Sequence, residues 1–217
     1  MADKGVESTS ARDFVPKTRS LDSLRQAAKI CQGCDLYLNA TQTVFGEGPG
    51  HARVMMIGEQ PGDLEDRKGA PFVGPAGRLL DKALVEAHIP RGEVYVTNAV
   101  KHFKWIWRGK RRLHQKPSIR QVGACRPWLE AELQLVQPKI VVCMGATAAQ
   151  AVIGKPVPIT KERGKFMDSD FAKLTFVTIH PSAILRQRDK DEQEHEFGRF
   201  AAEMKLVQRK LQSLAGG

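Results

Sequence analysis

Apolar residues gather along the chain in short, nearly solid runs, and stretches with helical spacing lie between the runs. Arg53–Ile57 (RVMMI), Val94–Val100, Lys139–Met144 (KIVVCM) and Leu174–Ile179 (LTFVTI) are the solid runs. Runs without polar alternation belong to strands buried on both faces, which predicts a parallel sheet. Between them, Leu79, Leu80, Ala83, Leu84 and Ala87 recur at helical spacing within Gly77–Ala87. Ser118 stands where it can cap a helix reaching about Val136. Further helices are expected from about Leu21 to Ile30, from Gly145 through about Ile153, and over roughly Asp191–Leu211. The alternation predicts an α/β fold, three layers (α/β/α) around a central four-stranded parallel sheet. Residues 1–18 are polar and are expected to form a flexible segment. The remaining length suits a single domain over 19–213.

Open parallel sheets bind ligands at the carboxyl ends of their strands. The chemically interesting residues all sit there: Glu59 after the first run, Asn98 at the end of the second, Gly145 after the third, His180 after the fourth. Gly58-Glu59-Gln60-Pro61-Gly62 makes a tight loop whose backbone can approach a substrate, with Glu59 and Asp63 supplying carboxylates. Its ordinary alternative is a turn with a helix-capping acid. Phe72, in Ala70-Pro71-Phe72-Val73-Gly74, can lie under a planar base or plug the core. His180, in His-Pro-Ser, can donate to a leaving group that gains negative charge, or can be structural.

Charge changes the picture. Lys+Arg 34 against Asp+Glu 24 leaves +10, and the window Lys101–Lys116 (KHFKWIWRGKRRLHQK) contributes seven cations and no acid. The excess is therefore local. Lys101, Lys104, Arg108, Lys110, Arg111, Arg112 and Lys116 are interleaved with Phe103, Trp105 and Trp107. Cations neutralise phosphates and aromatics stack on unpaired bases, so the window reads as a nucleic-acid-binding loop. Inside it, His114 is an imidazole among positive charges, which favour its neutral, nucleophilic form. No run is apolar enough to span a bilayer, and the opening MADKGVESTSARDF lacks the core of a signal peptide, so a cytoplasmic protein with no membrane partner is expected.

Cys31-x2-Cys34, Cys125 and Cys143 are the four cysteines. In a reducing compartment they read as ligands or free thiols. Four thiolates suit zinc or a [4Fe–4S] cluster, and the spacing does not choose between them. Cys143, within KIVVCM, also reads as an ordinary buried strand residue.

In this order, C-x2-C, GEQPG, APFVGPAGRLLD, VYVTNAVK, a central cysteine, VVCMGATA and IHPSAILR resemble the uracil-DNA glycosylase superfamily. The layout, from roughly Cys31 to Arg186, is that of its family 4 iron–sulfur enzymes. The stretch GKRRLHQKPS, residues 109–118, is similar to the Arg-rich, histidine-bearing insertion of the UdgX branch, with Leu113 where that branch more often has Ile. The resemblance implies a uracil-DNA glycosylase-like fold and a [4Fe–4S] cluster on Cys31, Cys34, Cys125 and Cys143. It implies that Phe72 stacks on a flipped uracil, that Asn98 reads its amide edge, and that His180 donates to O2. Gln60, Gly62 and Asp63 would complete the uracil pocket. His114 would bond covalently to deoxyribose C1′, with Glu59 orienting it and taking its proton. Lys110, Arg111, Arg112 and Arg186 would hold DNA. The expected function is uracil excision from preferably single-stranded DNA by a monomer associated with the bacterial nucleoid, ending in a stable histidine–DNA adduct after one turnover. A conventional multiple-turnover glycosylase is the alternative, and a non-enzymatic, zinc-stabilised nucleic-acid module a more distant one.

Overall fold

The structure is a computed structural model and describes residues 10–169, 171–172 and 174–214. In chain order it contains α1 (Leu21–Ala28), β1 (Val54–Gly58), α2 (Asp63–Lys68), α3 (Pro75–Glu86), β2 (Val94–Asn98), β3 (Trp105–Arg108), β4 (Arg111–His114), α4 (Ile119–Val136), β5 (Ile140–Met144), α5 (Ala146–Ile153), α6 (Ile159–Glu162), β6 (Lys165–Met167), β7 (Thr175–Thr178), α7 (Pro181–Leu185) and α8 (Lys190–Ser213).

The solid apolar runs become β1, β2, β5 and β7, every residue of which is buried. They lie parallel in the order β2–β1–β5–β7, as their two-sided burial requires. Side chains alternate between the faces. Met56, Val96 and Val142 pack against Leu80, Leu84, Phe200 and Met204 of α3 and α8. Met55, Ile57 and Val141 pack against Leu129, Leu133, Ala148 and Val152 of α4 and α5. A third core joins Leu24 and Ala28 of α1 to Cys31, Cys34, Cys125 and Trp128. Caps set helix starts where the sequence suggests them. The Ser118 hydroxyl accepts from the Gln121 amide, and the Gln121 side chain accepts from the Ser118 amide.

Three expectations are corrected. The sheet has five strands: β6 adds an antiparallel edge beside β7, with Phe166 opposite Phe176. At three residues with an outward lysine it is too short to show a period, and shortness and charge are how edge strands avoid further pairing. The basic window is not an open loop but the hairpin β3–β4, turning at Gly109 with φ +60°. The N-terminal segment is not wholly loose. Ala11–Phe14 forms a 3-10 turn, and Ala11 is buried against Gly33, where a Cβ would lie 2.6 Å from the Ala11 backbone. Residues 1–9 lie outside the described residues.

Candidate active site

The carboxyl rim of the sheet brings Asn98, Phe72 and His180 to one point. A Cβ on Gly58, at the end of β1, would stand 2.4 Å from Asn98 Oδ1, 2.8 Å from Phe72 Cζ and 3.3 Å from His180 Nε2. Parallel register supplies the first neighbour, pairing Gly58 with Asn98. Phe72 arrives through a strained turn with φ +56°. Its carbonyl fills the space over Gly77, where a Cβ would be 1.6 Å away. The Phe72 and His180 rings stack with centroids 6.0 Å apart and planes 28° apart. Above them opens a cavity of about 820 Å³, lined among others by Glu59, Gly62, Phe72, Asn98, His114 and His180.

His180 is held in one tautomer. Its Nδ1 accepts from the Ser182 amide at 3.1 Å and lies 2.8 Å from Ser182 Oγ. Arg186 Nη1 donates to that Oγ at 3.0 Å, so the hydroxyl's own proton turns toward Nδ1. The ring proton is therefore on Nε2, facing Gly58 and the cavity. Burial, helped by the charge of Arg186 and, when it is protonated, of His114, pushes the ring down to about 4, so it is a neutral donor at pH 7.

His114, half exposed at the end of β4, places Nε2 3.4 Å from Glu59 Oε1. The Thr147 hydroxyl donates to the other Glu59 oxygen and fixes the carboxylate. Partial burial draws His114 below its ordinary value; Glu59 opposes this and Arg186 adds to it. The arrangement offers a neutral imidazole beside a carboxylate at the cavity mouth.

The hairpin carrying His114 is clamped at both ends. Gln60 Nε2 donates to the Lys104 and Gln115 carbonyls at 3.2 and 3.1 Å, and its Oε1 accepts from the Lys104 amide at 3.1 Å. Gln60 lines the cavity, and its side-chain amide locks the hairpin base. Arg112, expected on DNA phosphate, is 7% exposed and donates to Asp63 Oδ1 at 2.5 Å and Asp66 Oδ2 at 2.7 Å. Asp63 lines the cavity but gives its carboxylate to Arg112 and Arg67, whose charges hold it below its usual range although burial pushes it up. Lys110, Arg111 and Arg186 remain exposed to solvent.

Sequence reasoning missed Glu65, Asp66 and Thr147. Glu65 accepts from the Gly62 amide at 3.1 Å and the Gly74 amide at 2.8 Å, tying the GEQPG and APFVG loops together. Thr147 lies within VVCMGATA without standing out there, Glu65 and Asp66 lie in none of the motifs, and the roles of all three arise only when distant loops meet.

Cys31, Cys34 and Cys125 share the third core. Trp128 Nε1 points at Cys31 Sγ from 3.2 Å, and the Lys101 amide at Cys125 Sγ from 3.3 Å. N–H donors aimed at sulfur suit thiolate ligands of a cluster. Cys143 is the exception. It lies in mid-β5, in the core beneath α4 and α5, with no other cysteine in that packing. Its apolar run explains the placement. His102 offers a fourth donor instead. The Thr43 hydroxyl gives its one proton to the Ala28 carbonyl at 2.8 Å, so His102 Nε2 donates to Thr43 Oγ1 at 2.9 Å. That leaves the lone pair on Nδ1, one residue beyond the Lys101 amide. Among the described residues no three such side chains already stand in single-ion geometry, but a four-iron cube spreads its ligands more widely than one ion. Three thiols and an imidazole fit such a group; four thiols including Cys143 do not.

Residues 45–205 match the family model described as the uracil DNA glycosylase superfamily. The chain is 37% identical over 172 residues to a type-4 uracil-DNA glycosylase of Thermotoga maritima, covering 79% of this chain and 86% of that one. It is 32% identical over 186 residues to a type-4 uracil-DNA glycosylase of Archaeoglobus fulgidus, covering 82% and 90%. It is 33% identical over 174 residues to one of Sulfurisphaera tokodaii, covering 76% of each chain.

Proposed function

Because this chain belongs to the uracil-DNA glycosylase superfamily, we propose that it excises uracil from DNA and that His114 then captures the sugar. The observation carrying the proposal is the imidazole of His114, neutral and 3.4 Å from Glu59, at the mouth of the cavity that holds Phe72, Asn98 and His180. Phe72 stacks on the flipped base, and Asn98 hydrogen-bonds its amide edge. The C1′–N1 bond breaks with its electron pair passing to uracil, and Nε2–H of His180 donates to the O2 that gains charge. A His114 ring nitrogen forms the new bond to C1′. The imidazolium loses its remaining ring proton by way of Glu59, and the uracil anion takes one up. Neither partner in the new C–N bond leaves readily, so one turnover is expected. Lys110, Arg111 and Arg186 hold the strand.

The resemblance to family 4 supports a resident [4Fe–4S] cluster, for which Cys31, Cys34, Cys125 and His102 are the fitting donors. Bound there, the cluster would supply a structural cross-link between distant segments. A preference for single strands and action as a monomer are part of this proposal. No described helix is long and apolar enough to cross a membrane.

The shared name of the relatives favours a second reading, ordinary turnover in which water rather than His114 meets C1′. A uracil-containing single-stranded oligonucleotide separates the two. The native protein is expected to give a band that survives denaturing electrophoresis, absent for His114→Ser, which should release uracil repeatedly. Multiple turnover by the native protein, or a surviving band with His114→Ser, would overturn capture by His114.

A further inference from the structure

The β3–β4 hairpin carries a ladder of planar groups that ends in water. It begins at Phe103, fully buried in the protein. The Arg112 guanidinium lies 5.5 Å from the Phe103 ring and 5.2 Å from the Trp105 ring, between the two. Trp105 is fixed by its Nε1 donating to the Asn39 carbonyl at 3.0 Å. Trp107 packs edge-on against Trp105, centroids 4.8 Å apart and planes at 83°. There the ladder stops, with Trp107 63% exposed.

The register explains the ladder. Trp105 pairs with His114 and Trp107 with Arg112 across the antiparallel ribbon, so all four side chains share one face. Arg112 is committed to Asp63 and Asp66, which anchors that face to α2. The exposed indole is therefore held in place before any ligand arrives, and little side-chain entropy remains to be lost on stacking. The next pair, Arg108 and Arg111, stands on the opposite face of the ribbon and Lys110 lies in its turn, all exposed, with no acid between Lys101 and Lys116. An exposed aromatic face on a hairpin tip that also carries exposed cations is complementary to a planar group linked to phosphates. His114 and Trp107 are two ribbon positions apart, about 7 Å at the usual strand rise, so the occupant sits close to the cavity mouth.

We propose that Trp107 is a stacking platform for an unpaired base flanking the target uracil, with Lys110 in the turn and Arg108 and Arg111 on the reverse face giving the hairpin tip the positive charge that attracts the strand. The proposal rests on uracil-DNA as the substrate and deepens it by naming what selects a single strand. Bases inside a duplex already stack on each other and offer no free face to an indole, so the platform discriminates by strandedness and not by sequence.

Fluorescence anisotropy with uracil-free oligonucleotides tests the platform apart from the excision chemistry. Trp107→Ala should weaken binding of a labelled single strand about tenfold, within the range of one lost base–aromatic stack. Blunt duplex binding should change less than twofold, and Trp107→Phe should restore most of the single-strand affinity. Because Trp107 is largely exposed, melting curves of the variants should overlay the native one. Native single-strand affinity in Trp107→Ala, or equal loss on duplex and single strand, would overturn the platform. A native protein that shows Trp107-dependent strand binding yet releases no uracil would overturn the glycosylase proposal and leave the platform standing.

Discussion

At the scale of single residues, His114 and His180 divide by environment. His180 has its Nδ1 occupied by Ser182 and is held down to about 4, so it is a neutral donor at pH values well above that. His114 has one foot in solvent and answers to two opposed charges, Glu59 and Arg186. Its nucleophilic form is the neutral one. Its folded value lies below the ordinary 6.5, so capture should be complete above that pH and lost as pH falls through the lowered value. Removing Arg186 removes a charge that disfavours the imidazolium, so Arg186→Gln should move the capture midpoint to higher pH. Adduct yield per uracil released, followed from pH 4 to 8 by denaturing electrophoresis, reads this shift. A midpoint unmoved or moved downward in Arg186→Gln would show that the arginine does not set the nucleophile's charge. The ratio matters because Arg186 also reaches His180 through Ser182, and any change in excision rate cancels from it.

At the scale of elements, loops are aimed by glycines that the packing leaves no room to replace. Gly77, in the first turn of α3, accommodates the Phe72 carbonyl at a distance no Cβ tolerates. Gly77→Ala must push the Phe72 turn away, and uracil release should fall at least tenfold. Gly123 in α4 is a matched control, with nothing within 4 Å of a Cβ. Gly123→Ala should leave release unchanged and raise stability by about 0.5–1 kcal/mol, the usual helix-interior difference. Equal release by both variants would mean that Phe72 need not be aimed. The contrast also marks what the sequence makes legible. The four buried strands, their rim and the residues on it follow from solid apolar runs, because two-sided burial leaves a pattern in the chain itself. The hairpin does not, because Trp105 and Trp107 alternate with Ile106 and Arg108 in a ribbon whose stability comes from clamping by Gln60 and Asp66, residues over 40 positions away. Arg112 reads as a phosphate ligand by charge alone, and only the meeting of α2 with β4 reveals its buried acid.

At the scale of the whole molecule, α4 links the two chemical regions. One of its faces carries Cys125, Trp128 and Glu132, all buried. Glu132 accepts from Lys101 Nζ at 2.5 Å, and the same ammonium reaches the Asn98 carbonyl at 2.8 Å, while the Lys101 amide points at Cys125. The cysteine corner is thereby joined through one lysine to the strand end that would read uracil. Which residues complete that corner decides how the joint is made. With Cys31 and Cys34 following α1, Cys125 on α4 and His102 after β2, a cluster would cross-link three distant segments and close a long loop, a gain in stability that grows with loop length. With Cys143 it would instead have to reach into the sheet. Loss of cysteine at these positions should therefore be unequal. Cys125→Ala and His102→Ala should abolish the visible absorption of the purified protein and lower its melting temperature. Cys143→Ala should keep the full absorption and cost only the modest penalty of a small cavity in an apolar core. Iron content and visible spectra of the three variants, measured anaerobically, check the assignment. A bleached Cys143→Ala beside a coloured His102→Ala would restore the four-cysteine set, and would require β5 to shift from the position that its apolar neighbours now fix.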